Sequence, residues 1–276
     1  MKAQHTVVLL LVGLFLAPSR LVGQESKSDS VKYGWRNEII GTLNLTQASF
    51  DNWQQGGESA LAWQIKLDGG FDLVQEKYDW SNRARFTLGF AKVAGSEARK
   101  SADEVSLESV YTRKLSRLLN PFFGVTAKTQ TVAGFEYDDQ DNKTKISKFL
   151  DPGYFTQSVG FGYAPNEVFK TRLGATVKET VTDLFPEESK VEPGISSVSE
   201  FKKKFEENVF FTSRLDIFSD LEAFDRIDVL WENNLNLKVT KFINVSLNVD
   251  LFYDKDVSSR RQIKQVLAVG FTYTFL

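Results

Sequence analysis

SALAWQIKLDGGFDLVQEKYDWSNRARFTLGFA, residues 59–91, decides the fold. Every second residue is apolar or small: Leu61, Trp63, Ile65, Leu67, Gly69 and Phe71. Between them stand Gln64, Lys66, Asp68, Gly70 and Asp72. After a break at 74–77 the pattern resumes with Tyr78, Trp80, Asn82, Ala84, Phe86, Leu88 and Phe90, opposed by Asp79, Ser81, Arg83, Arg85 and Thr87. A period of two is the signature of a strand, not a helix. The stretch therefore reads as two antiparallel strands joined by a tight turn. Both are longer than the ~5–6 residues of a globular strand and reach the ~9–11 that a tilted membrane strand requires. One face is aromatic and aliphatic, while the other is charged. The reading is an all-β, closed, antiparallel up-and-down transmembrane β-barrel, with lipid outside and a polar lumen inside.

The same alternation recurs along the chain. Strands are expected at 36–48, 103–113, from Pro121, at 153–163, 169–182, 190–205, 209–218, 226–239, from Ile243 to Tyr253, and at 264–276. With the first pair this makes about twelve, an even number as bacterial barrels have. The segment 190–205 alternates worst, because Pro193 and Gly194 interrupt it. Connections alternate in length. Short ones fall near Glu76, Ser116, Asn166, Glu207 and Phe242; longer ones fall near Asn52, Ser96, Asp141, Pro186, Glu222 and Ser258. Short periplasmic turns and long external loops produce such a pattern.

Residues 1–23 have the form of a secretory signal peptide: Lys2, an apolar run from Thr6 to Ala17, and small residues at Ser19 and Gly23 where cleavage fits. Residues 24–35 would be a short periplasmic lead-in, and 36–276 a single barrel domain. The expected location is the outer membrane of a diderm bacterium. The final Gly270-Phe271-Thr272-Tyr273-Thr274-Phe275 resembles the C-terminal signal of outer-membrane barrels, with Leu276 as one extra residue. It implies the barrel-assembly machinery as a partner, alongside outer-membrane lipid.

Composition narrows the function. The chain has 276 residues, no cysteine and one histidine, His5, which lies in the leader. A mature chain without His or Cys cannot supply a Ser-His-Asp triad, a thiol nucleophile or a His- or Cys-ligated metal. No cofactor, metal or catalytic residue is therefore expected. The formal charge of −2 offers nothing for nucleic acid. The loop 138–142 (DDQDN) has oxygens but not the glycine and terminal glutamate of a calcium loop.

The polar faces nominate a lumen charge network of Lys66, Asp68, Arg83, Arg85, Glu104, Glu108, Lys128, Arg172, Lys178, Arg214, Asp216, Asp228, Glu232 and Asp250. Its signs nearly balance, so it could pair across the lumen and fill it, or line a narrow pore for a small polar solute. Two other classes compete with the barrel. A secreted or periplasmic β-rich binding protein would turn the apolar face inward, and alternation alone treats both faces alike. A lipid-acting outer-membrane enzyme would have to use carboxylates, of which Glu104 and Glu108 are a candidate pair.

Four segments carry a family resemblance: LNLTQASFDNWQQGGE (43–58), ISKFLDPGY (146–154), DVLWENN (228–234) and YDKDVSSRRQIKQVLAVGFTYTF (253–275). Together they resemble a bacterial family known only as domain of unknown function 3078. The resemblance implies an exported outer-membrane barrel. It supplies no substrate and no site residues.

Overall fold

A computed structural model of the chain describes residues 33–49, 58–138, 140, 142–222, 226–255 and 260–275. The expected leader at 1–23, most of the expected lead-in, most of the expected Asn52 loop, Asp139 and Asp141 of the 138–142 loop, and Leu276 lie outside the described residues. Among the described residues there are fourteen strands: β1 (Gly34–Ala48), β2 (Ala60–Val74), β3 (Tyr78–Val93), β4 (Arg99–Arg113), β5 (Leu119–Thr129), β6 (Gly134–Tyr137), β7 (Lys143–Ser147), β8 (Gly153–Tyr163), β9 (Phe169–Val181), β10 (Lys190–Glu206), β11 (Val209–Asp220), β12 (Ile227–Lys238), β13 (Ile243–Tyr253) and β14 (Gln262–Thr274).

Twelve of them close into one antiparallel barrel in which chain neighbours are sheet neighbours, and β6 and β7 form a separate hairpin. Closure comes from β1 against β14, with Ile40 opposite Thr274 and Asn44 opposite Gly270. A closed meander leaves no edge strand with unpaired backbone groups, which is what a bilayer demands. At the seam a Cβ on Gly270 would meet the Asn44 carboxamide, which would have to move aside.

Short turns collect at one end of the barrel, between β2 and β3, β4 and β5, β8 and β9, β10 and β11, and β12 and β13. Side chains seal several of them. Asn120 Oδ1 accepts from the backbone of Leu115 and Ser116, and Asn166 Oδ1 from Val168 and Phe169. The other connections, most of them longer, collect at the opposite end.

The register settles which face is inside. Leu267, Val159, Leu173, Val269 and Phe271 are exposed on the outer wall, at 57–69% of full accessibility. The buried apolar side chains Val110, Phe122, Phe218 and Ala268 share the inner-face parity of Glu108, Lys128, Asp216 and Lys264. Apolar outside and charged inside is the arrangement of a transmembrane barrel. The reading with an apolar interior is corrected by this register: lysines, arginines and carboxylates occupy the enclosed face.

Several boundaries differ from the sequence expectation. The predicted loop 92–102 shrinks to 94–98, because β3 and β4 continue beyond the apolar band as polar ladder. The long connection around Asp141, in which no strand was expected, contains the β6–β7 hairpin. Both are short, mostly polar segments in which alternation is too brief to give a hydrophobic signal. The poorly alternating 190–205 segment forms the longest strand, β10. Pro193 is tolerated because β10 pairs only with β9 there, and pairing with β11 begins at Gly194.

Candidate functional site: the lumen

The inner faces of β2, β3, β4, β5 and β12 build one group of charges. Arg85 lies between strands: its Nε is 3.2 Å from Asp68 Oδ1, and its Nη1 is 3.1 Å from Glu232 Oε1 and 3.9 Å from Glu104 Oε1. Lys128 Nζ holds the other Glu104 oxygen at 2.9 Å, and Lys66 Nζ the other Asp68 oxygen at 3.1 Å. Along the shorter arc, β3 and β12 are separated by β2, β1, β14 and β13. The Arg85–Glu232 pair therefore crosses the lumen. Asp250 stands opposite Glu232 on one side and Lys264 on the other.

A second group is centred on Glu108. Its Oε1 receives Arg172 Nη2 at 2.5 Å and its Oε2 receives Arg214 Nη1 at 2.8 Å. Arg214 Nε turns to Asp216 at 2.9 Å, and Arg214 Nη1 is 3.8 Å from Glu200. Glu200 also holds Lys170 at 3.2 Å and Lys202 at 3.5 Å. Glu108 sits on β4 and Arg214 on β11, with β5, β8, β9 and β10 between them, so this group also bridges opposite walls. Two smaller groups flank these. Lys178 Nζ lies 2.5 Å from Asp228 and 3.4 Å from Glu192. Arg83 grips both oxygens of Asp72, at 2.7 and 2.9 Å, in the bidentate geometry that guanidinium favours.

Two inward rings support the cations: Arg172 lies over Phe122 at 5.6 Å and Lys178 over Phe218 at 5.2 Å. Phe218 in turn lies where a Cβ on Gly194 would be, 2.3 Å away. Around these side chains remains a lumen cavity of about 190 Å³, lined among others by Glu108, Phe122, Arg172, Lys178, Arg214 and Phe218. From β12 through β14 to β2, amides and hydroxyls form a band of their own beside the charges. Asn234 bonds Asn248, Asn244 bonds Asn236, Thr272 bonds Asn244 and Thr42, and Asn44 bonds Gln64.

The sequence reading omitted Asp72, Glu192, Glu200 and Lys264, although all four share the inner parity. Glu192 and Glu200 belong to β10, where poor alternation hid the parity; counting in twos from Lys190 would have found them. The amide and hydroxyl wall was also missed, because Asn and Thr do not stand out against polar loops. The acid–base candidates are far from free. Glu104 and Glu108 are each engaged by cations from other strands rather than by one another.

At the long-loop end two carboxylates fasten connections. Asp103 accepts from the Thr131 amide and hydroxyl, the Val132 amide and Lys100. Asp151 is 2% exposed and accepts from the Thr182 hydroxyl and the amides of Asp183 and Leu184, with Lys148 Nζ 3.2 Å away. Burial works against the Asp151 carboxylate. The Thr182 hydroxyl, the Leu184 amide, Lys148 and the Asp183 amide outweigh it and hold the group below its ordinary value. In the 138–142 loop, Asp138 is occupied by Gln140 and Asn142.

Residues 45–135 match the profile of the family described as Protein of unknown function (DUF3078). Of the four segments that carried the resemblance, only 45–58 falls inside this interval. No curated protein matches the chain. Among solved structures, the translocator domain of autotransporter NalP from Neisseria meningitidis is 11% identical, covering 89% of this chain and 90% of its own, with a TM-score of 0.39. The COG4313 outer membrane channel from Pseudomonas putida F1 is 10% identical, covering 91% and 99%, with a TM-score of 0.42. The NanC porin is 9% identical, covering 86% and 97%, with a TM-score of 0.39.

Proposed function

We propose that this chain is an outer-membrane barrel whose lumen is shut by its own ion pairs, serving as a structural element or a path for water and the smallest ions. The observation that carries this reading is the pairing of Arg85 with Glu232 and of Glu108 with Arg214 across the lumen. A solute passing through must displace cation–carboxylate pairs that are tied into larger ionic groups on both walls. In this reading the short turns face the periplasm, the long connections face outward, and the C-terminal strand is the one presented to the assembly machinery.

The same geometry argues against an enzyme working on lipid through Glu104 and Glu108. Both carboxylates point inward, away from the bilayer, and each is held by two cations. A general acid or base must reach the proton that it moves.

The test is single-channel conductance of the refolded protein in a planar bilayer at two salt concentrations. Insertion without resolved steps supports a shut lumen. Steady, porin-sized steps from the unaltered protein overturn it. Failure to insert overturns the membrane location itself.

A further inference from the structure

Asparagine on a lipid-facing wall is unusual, because an unmatched carboxamide in an apolar medium costs about 1–3 kcal/mol. Among the described residues, two asparagines on the outer face, Asn82 and Asn233, stand in the same constellation. Trp80 Nε1 donates to Ser109 Oγ at 2.8 Å, Ser109 donates to Asn82 Oδ1 at 2.8 Å, and Asn82 Nδ2 donates to the Phe71 carbonyl at 3.2 Å. On the far wall Trp231 Nε1 donates to Ser213 Oγ at 2.9 Å, Ser213 to Asn233 Oδ1 at 2.8 Å, and Asn233 Nδ2 to the Val249 carbonyl at 3.4 Å. In each case the serine faces the asparagine on one neighbouring strand, and the carbonyl belongs to the residue facing it on the other. The two differ by a half-turn about the normal to the wall: Trp80 lies towards the short-turn end and Trp231 towards the long-loop end. As triads they satisfy themselves, and neither alone calls for a ligand.

The first differs in what stands beyond it. Trp35 leans over β2 towards Trp80, with ring centroids 6.0 Å apart and 55° between planes. On the far wall Ile263 occupies the matching position, opposite Leu251 as Trp35 is opposite Leu73. Beside the indole pair is a depression of about 460 Å³ lined by Trp35, Asn37, Phe71, Trp80 and Asn82. The Asn37 side chain has no hydrogen-bond partner among the described residues. The next row towards the membrane centre is Ile39, Gly69, Ala84 and Leu107, where two small residues lower the wall. Towards the short-turn end, Arg113 faces Tyr78 on the same outer surface and has no ion pair among the described residues. Tyr78 and Tyr111 stack between Arg113 and the indoles, at 5.4 Å and 28°.

We infer that this depression binds one phospholipid of the surrounding bilayer. Arg113 meets the phosphate, the indoles and Asn37 meet the glycerol–ester region, and the Gly69–Ala84 trough takes the start of an acyl chain. The order of cation, aromatic ring, carboxamide and small apolar residue along the wall repeats the polarity order of a phospholipid from headgroup to chain. The inference rests on the membrane reading above.

The test is native mass spectrometry of the refolded full-length chain released from detergent, titrated with phosphatidylglycerol or phosphatidylethanolamine. A heat-modifiable gel shift verifies that each variant is folded. The expected result is one lipid retained above the random adduct distribution. Asn37→Leu or Trp35→Leu should weaken retention about tenfold, the worth of one hydrogen bond to a charged or ester group. Trp231→Leu should leave it unchanged, and Arg113→Gln should remove any preference for the anionic lipid. Random adducts from the unaltered protein, or equal retention by the Asn37 and Trp35 variants, overturn the site. A dimer that Trp35→Leu dissociates, with no lipid retained, assigns the depression to a second copy and also overturns it. A protein that inserts into bilayers but retains no lipid defeats only this inference; one that never inserts defeats the membrane reading.

Discussion

Arg85 and Glu232 stand 147 residues apart in the chain, on strands with four others between them along the shorter arc, and meet at 3.1 Å across the barrel interior. That contact closes the lumen on one level, and Arg214 with Glu108 closes it on another at 2.8 Å. Cutting one level should leave the other in place. Arg85→Ala and Glu108→Ala singly are expected to insert without resolved conductance, while the double variant conducts in steady steps. Planar-bilayer recording of the three proteins checks this.

Glu108 neutralises two arginines, so Glu108→Ala leaves like charges facing one another with little water to screen them. Breaking a buried pair costs about 3–5 kcal/mol, and the lumen's partial access to water reduces this to about 1–3 kcal/mol. Urea unfolding of the refolded barrel in detergent should show a lower midpoint with an unchanged slope.

Gly194 is expected to resist even a methyl group. Its Cβ would stand 2.3 Å from the Phe218 ring and 2.6 Å from the Ser219 carbonyl, which is backbone of the paired strand. Gly194→Ala should destabilise the barrel by about 1–3 kcal/mol through overpacking. It should also release Lys178 from its seat over Phe218, read as lower thermal stability in the gel-shift assay.

The outer wall can be tested by charge. Leu267 is 69% exposed in the middle of β14. Leu267→Arg should cost about 2–4 kcal/mol if that position faces the bilayer core. Unfolding titrations in lipid vesicles measure the cost, and a value near zero would contradict a lipid-facing wall.

Asp151 ties the end of the long connection to the start of the next one. Its carboxyl lies below its ordinary value. A lowered folded value means that the carboxylate's contribution is complete above the unfolded value of about 4 and is lost as pH falls through the lower, folded one. Limited proteolysis of the 130–152 connection should therefore stay slow at neutral and mildly acidic pH and quicken only below about pH 4. Asp151→Asn should make it fast at every pH, because the amide cannot accept from so many donors at once.

How much was legible differed by region. Within the apolar band the strands were placed almost to the residue, as at Gly153–Tyr163 and Ile243–Tyr253. Outside it they were not: the extensions of β3 and β4 and the short β6–β7 hairpin are mostly polar and too brief to show a sustained period of two. Members of the charge network on well-alternating strands were readable by counting in twos. Glu192 and Glu200 were not, because Pro193 and Gly194 obscure the count.

Alternation, strand length and the spacing of turns were enough to determine an even-stranded antiparallel barrel, since period two follows from the pleat of each strand alone. They could not say which face is enclosed, because the pattern is the same seen from either side. Nor could they say which charges meet. Closure of β1 on β14 and the stagger between strands set the heights at which side chains face one another. Those quantities belong to the whole ring, so the partners of Arg85 and Glu108, and the meeting of Trp35 with Trp80 over β2, were decided only in three dimensions.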